Sequence, residues 1–395
     1  MGLQFGIFDH IEPVPGLSLQ QIYRERLLQL EQYDAAGFYA YHLAEHHTPA
    51  VHSLAPSQNV FLAAASQRTQ RLRLVPCVYV LPLHHPLRLI EEVCMLDHLC
   101  DGRLEMGVGR GGVLEAYFWG SDADVERNFI KYQETLDILR QGLSHAELTY
   151  QGEFYTFEAL PMRLRPKQQP YPPLWYMRNA EIAAQEGMHA LLVGSLDGFE
   201  ANVKRYYDLW DNHQGPGALT PQGEVPKIGL VHHIVLADTE REAVAVARPA
   251  WDEYVWNLMT PRRLEAERRG LTQFLGGNVR PAGVPDREAP RIYAPQARTQ
   301  EEQHRRAAPG GIGGDGRGAG FSVIAGTPDS VCVYMDEYIA TGANYFVCSF
   351  QWGGLSHAQA MRSIQLFVEE VMPHYALVPC SLTPEKYPPA KTPRR

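Results

Sequence analysis

The stretch "LAEHHTPAVH" sets Glu45, His46, His47 and His52 within a few positions of one another, at the end of an apolar run. An imidazole there could titrate near neutral pH and act as acid, base or hydrogen-bond donor. Imidazole with carboxylate is also a zinc-ligand chemistry. Adjacent side chains on an extended chain point to opposite sides, however, so His46 and His47 could not easily share an ion. The sequence contains no H-E-x-x-H, and the first apolar run carries no H-x-H. No metal centre is expected. His47 and His52 are expected to be hydrogen-bonded structural imidazoles.

A second constellation is basic. "LEMGVGRGG" contains G-x-G-x-x-G at Gly107, Gly109 and Gly112, after an apolar run that reads as a strand. In a dinucleotide fold that motif is followed, roughly 20 residues on, by an acid ending the next strand. Here that distance falls in a helical stretch around Arg127. The turn Gly109-Arg110-Gly111 with Arg127 instead makes a phosphate seat, because guanidinium offers forked donors and glycine lets backbone N–H groups approach. Arg178 and Asn179 precede another helix, whose N-terminus would attract an anion.

These residues need elements to hold them. Short β-branched or aromatic runs alternate with amphipathic stretches: "LQFGIF", "FYAYHLAE", "LRLVPCVYVLP", "RLEMGV", "PPLWYM", "HALLVGS", "IGLVHHIVLA" and "NYFVCSF" read as strands. "ELTYQGEFYTF" reads as a hairpin between the fourth and fifth strands. Eight strand–helix units predict an α/β fold, a (β/α)8 TIM barrel forming a single domain over 1–395. Catalytic groups then belong at the C-terminal strand ends. Residues 259–320, rich in Pro, Arg and Gly, interrupt the pattern between strands seven and eight. They are expected to be an insertion acting as a lid.

Composition narrows the partners. The formal net charge is −9, and no basic block occurs, so neither nucleic acid nor an acidic membrane surface is expected. No apolar run approaches the roughly 18 residues of a membrane span. No basic region or cleavage site precedes the first strand, so the reading is cytoplasmic. The six cysteines show no C-x-x-C and read as reduced thiols.

The segments "YHLAEHH", "VLPLHHPLRLIEEVCMLDHLCDGRLEMGVGRG", "PPLWYM" and "FVEEVMP" resemble the bacterial-luciferase-like flavin monooxygenases over nearly the whole chain. The resemblance implies a barrel with FMN at the C-terminal mouth, usually as a homodimer packed through the early helices. It implies a two-component monooxygenase, in which a separate flavin reductase supplies reduced FMN and dioxygen oxygenates a small organic substrate. His46 matches the family's catalytic histidine, and Arg110 and Arg127 match FMN-phosphate ligands. A non-prolyl cis peptide beneath the flavin would fall near Cys77 and Val78. Gly109 stands where bacterial luciferase has a reactive cysteine, so thiol chemistry on the flavin is not expected. The loop after "PPLWYM" is shorter than the family's phosphate loop, which bears on Arg178 and Asn179. A deazaflavin-dependent hydride-transfer enzyme and a non-catalytic flavin-binding relative are the alternatives.

Overall fold

The computed structural model describes residues 3–49, 52–121, 123–211, 225–275, 292–293 and 322–376. Its strands are β1 (Gln4–Asp9), β2 (Ala40–Leu43), β3 (Arg73–Pro76), β4 (Tyr79–Val80), β5 (Met106–Gly109), β6 (Glu147–Gln151), β7 (Thr156–Pro161), β8 (Leu174–Met177), β9 (His189–Leu192), β10 (Ile228–Leu236), β11 (Ile292–Tyr293), β12 (Ser322–Gly326) and β13 (Tyr345–Ser349). The main ladder runs β3-β2-β1-β13-β10-β9-β8-β5-β4, and its pairs are parallel. The expected third strand is broken. Its halves, β3 and β4, flank a cis peptide between Cys77 and Val78. A parallel bridge from Leu74 to Leu104 joins β3 to the start of β5. With β3 and β4 sharing one position, the ladder is a barrel of eight strand positions. The expected hairpin is β6–β7, antiparallel and off the barrel.

Helices wrap this barrel: α1 (Leu19–Ala36), α2 (Gln58–Ser66), α3 (Pro86–Leu99), α4 (Val113–Phe118), α5 (Val125–Ser144), α6 (Ala180–Gln185), α7 (Phe199–Trp210), α8 (Glu240–Arg269), α9 (Pro328–Ala340) and α10 (His357–Leu366). α8 corrects the boundary of the expected insertion, because residues 259–269 continue a helix begun at Glu240. Thr239 caps its start by accepting from the Glu242 N–H (3.2 Å). Gly270, at φ 68°, ends it in the left-handed conformation that glycine adopts without penalty. Residues 276–291 and 294–320 of the expected lid lie outside the described residues. β12 was not expected. It pairs with the far half of β10, Ser322–Gly326 against His232–Leu236, while the near half of β10 pairs with β9 and β13.

Phe8, Ala40, Val75, Trp175, Leu191, Val231, Tyr345 and Val347 fill the barrel interior. Gly6 makes room for this filling, since a Cβ there would lie 1.8 Å from the Tyr345 hydroxyl. The N-terminal end is sealed by Glu105, which is fully buried and paired with Arg73 and hydrogen-bonded by Tyr39 and Trp175. A packed interior and a sealed bottom leave the C-terminal mouth as the place for a ligand.

Candidate active site

β2 delivers Glu45 to the mouth, and Glu45 organises what surrounds it. The carboxylate accepts hydrogen bonds from His47 Nε2 (2.7 Å), His84 Nε2 (3.0 Å) and the Val80 N–H (3.2 Å). Burial works to raise its pKa, but the bonds from the two histidines outweigh burial and lower it. His47 is thus hydrogen-bonded as expected, although it lies past the end of β2 and not on the strand. Its ring packs against Trp119 (4.3 Å between centroids).

His46 faces the other way and joins two further imidazoles. His52 lies 4.2 Å from it, ring centroid to ring centroid, and His10, just past β1, lies at 5.5 Å. His52 is buried, and neither of its ring nitrogens has a hydrogen-bond partner among the described residues. The expectation of a hydrogen-bonded structural imidazole is thus corrected for His52. His10 was missed, because one histidine after a strand has no pattern to betray it. From α8, Arg262 donates through Nη2 to His46 Nδ1 (2.7 Å) and stands 3.5 Å from Glu115 of α4. Glu115 in turn accepts the His47 N–H (2.7 Å).

The electrostatics overturn the expectation that His46 titrates near neutrality. Desolvation, then His52 and Arg262, then His10 and Arg178, hold its pKa well below the usual imidazole range. Desolvation followed by Arg262 and Arg178 lowers His10 to about 3. Desolvation, His10 and Arg262 also lower His52. One nitrogen from each of the three rings lies within 4.8 Å of the others, a spacing that could collect around a metal ion. Against that, Arg262 already occupies a His46 nitrogen, and a divalent cation would sit beside two guanidiniums. The trio reads as neutral imidazoles in a cationic setting, which suits an anionic or dipolar ligand.

The arginines differ in what they hold. Arg110 is exposed at the end of β5, and no hydrogen bond or ion pair engages its side chain among the described residues. Arg127, in the first turn of α5, is paired with Glu153 (3.2 Å) and lies over the Phe154 ring. Arg178, after β8, has φ 75°. It is exposed, yet burial is the main cause lowering its pKa. Asn179 caps α6 by accepting from the Ile182 N–H (3.0 Å).

The glycine turn serves packing more than the sequence suggested. A Cβ on Gly107 would lie 2.5 Å from the Pro76 carbonyl, one on Gly109 2.6 Å from Val78, and one on Gly111 2.3 Å from Val80. These glycines let β5 press against the interrupted strand. At Gly112 the space is open. Cys77 is a buried thiol pushed up to about 12 by desolvation, and the Cys77–Val78 peptide is cis, as the resemblance implied. Of the aromatics near strand ends, Phe8 and Trp175 fill the interior. Trp352 packs beside Trp251 and Tyr254, and Phe350 packs outside the barrel against Phe38 and Phe367.

A sealed parallel barrel that gathers its imidazoles and guanidiniums at the C-terminal strand ends is an enzyme architecture. The family profile described as luciferase-like monooxygenase matches residues 3–345. The chain belongs to that family, and it is an oxidoreductase acting with incorporation of oxygen. An uncharacterised protein of Sinorhizobium fredii is 38% identical over 260 residues, covering 65% of this chain and 73% of the relative. The oxygenase component of the flavin-dependent trigonelline monooxygenase of Acinetobacter baylyi is 27% identical over 263 residues, 62% of this chain and 68% of its own length. In fold, the oxygenating constituent of 3,6-diketocamphane monooxygenase from Pseudomonas putida, solved with FMN, matches with a TM-score of 0.64 at 18% identity, over 96% of this chain and 100% of that one. No helix among the described residues is long and apolar enough to cross a membrane.

Proposed function

We propose that this protein is the oxygenase of a two-component system, taking reduced FMN from a separate reductase and using dioxygen to oxygenate a small organic substrate. The observation that carries the reading is the mouth itself. A partly exposed His46 sits with neutral His10 and His52 under the guanidiniums of Arg262 and Arg178, and Arg110 stands exposed at the end of β5. Named relatives support the direction: one is an oxygenase component, and others are monooxygenases of limonene and diketocamphane.

The residues present fit FMN. For a phosphate, Arg110 offers donors that no described residue engages, with Arg127 to join once it leaves Glu153, and the open space at Gly112 admits the approach. Gly109, Gly111, Cys77 and Val78 form the floor beside it, and Arg178 and Asn179 border the mouth. When bound, reduced FMN supplies the electrons that activate dioxygen. The chain does the rest. Glu45 holds the β2 end in place through His47 and His84. His46 presents a ring nitrogen to the reacting groups. α8 narrows the mouth and limits water, which suppresses unproductive release of peroxide.

Barrels of similar fold serve F420-dependent enzymes, with a TM-score of 0.60 for a tetrahydromethanopterin reductase, so the test compares cofactors. Purified protein titrated with reduced FMN is expected to bind it and to react on mixing with oxygenated buffer. Tight binding of reduced deazaflavin without an oxygen reaction overturns the proposal. His46→Ala is expected to bind FMN yet lose about 10²–10⁴ in oxygenation rate, the scale of a positioned proton-transfer or donor group. Oxygen would then be released as hydrogen peroxide.

A further inference from the structure

His46 is faced from every side by ionisable groups. His10 follows β1, and His52 follows β2. Glu115 of α4 stands 3.9 Å from Nδ1, and Arg262 of α8 stands 2.7 Å from the same atom. Arg178, after β8, acts from further away. Glu115 and Arg262 compete for one nitrogen and ask opposite things of it. A carboxylate draws a proton onto Nδ1. A guanidinium has only N–H donors and keeps its proton, so it can bond only to a nitrogen that bears a lone pair. Arg262 is the nearer, and it is itself 3.5 Å from the Glu115 carboxylate, which it partly neutralises.

We propose that Arg262 is a positioning residue that fixes His46 as the neutral Nε2–H tautomer, so that His46 enters the reaction as a hydrogen-bond donor and not as a base. The protonated ring would point an N–H at a guanidinium, and the other tautomer would do the same. Both forms are disfavoured while Arg262 is in place. Removing Arg262 hands Nδ1 to Glu115. The proton then moves to Nδ1, and Nε2 becomes an acceptor. The residue therefore decides the polarity of the ring edge that faces a ligand.

The role in the reaction rests on the proposed function, but the tautomer does not, and the two are read separately. In protein labelled with ¹⁵N histidine, long-range proton–nitrogen correlation at pH 7 distinguishes the two ring nitrogens, with His46→Ala assigning the signals. The wild type is expected to show Nδ1 without a proton and Nε2 with one. Arg262→Ala inverts the pattern and raises the pH of half-protonation by about one unit, the scale of removing a neighbouring charge. Arg262→Lys, still donor-only, keeps the wild-type pattern. A wild-type ring with its proton on Nδ1 overturns the proposal without any variant, as does a wild-type ring half-protonated near its usual value. An unchanged pattern in folded Arg262→Ala overturns it as well. A protein that fails to react with oxygen and FMN yet shows these signals loses the proposed function and keeps the tautomer assignment.

Discussion

Arg110 and Arg127 occupy equivalent places in the sequence argument, yet they enter binding with different histories. Among the described residues Arg110 has no partner to leave, whereas Arg127 must break its exposed pair with Glu153, worth about 0–1 kcal/mol. Arg110→Ala is expected to weaken FMN by about 1.5–3 kcal/mol, the scale of a charge-assisted hydrogen bond, and Arg127→Ala by less. Riboflavin, which lacks the phosphate, should lose little in either variant. Fluorescence titration with both ligands checks this, and equal losses for FMN and riboflavin would make Arg110 structural. His46 and Arg110 were singled out as candidates in the sequence because each ends an apolar run inside a dense motif. Arg262 was not. It sits in the charged run "TPRRLEAERR", and only the path of α8 across the mouth gives it a task. Glu115 was hidden for the same reason, since one acid in a short helix carries no spacing signal.

At the scale of elements, Glu12 ties three pieces together. It follows β1 and accepts from the Gly353 N–H beyond β13 (3.1 Å) and from Asn257 of α8 (3.3 Å). Gly353, at φ 53°, passes so close to α8 that a Cβ would lie 1.9 Å from the Ala250 carbonyl. Burial chiefly, with Asp9 adding, raises the Glu12 pKa from 4.5 to about 8, against the opposing pull of its hydrogen bonds and Arg26. A carboxyl raised in the folded state holds its proton more tightly there than when unfolded. Its contribution is therefore full below about 4.5 and is lost as pH rises through about 8. Glu12→Gln is expected to flatten the decline of stability over that window, by up to about 1.4 kcal/mol per pH unit. Denaturant melts at stepped pH measure it, and parallel profiles for variant and wild type would refute the role. The eight barrel strands were legible because buried parallel strands read as apolar runs. The break between β3 and β4 was not, since "LRLVPCVYVLP" stays apolar across it. β12 was hidden at the end of a glycine-rich stretch with no periodicity of its own.

The whole molecule carries exposed apolar side chains on its early helices: Val60 on α2 at 73%, with Met95 at 56% and Leu99 at 50% on α3. α2 and α3 are joined by Asn59 donating to Glu92 (2.9 Å), so these residues share one surface, of the kind that marks association. Together with the family resemblance this supports a homodimer. Light scattering is expected to give twice the chain mass, and Val60→Glu with Met95→Glu to give a folded monomer; a monomeric wild type rejects the interface. β10 has a further consequence. Its near half belongs to the wall and its far half anchors β12, so the chain leaves the rim through α8 and returns at a fixed register. Closing a longer loop between two pinned points costs only about 0.6 kcal/mol per doubling of length. The rim is thus a socket. A stretch of another length could be set in that socket while β10 and β13 keep their register.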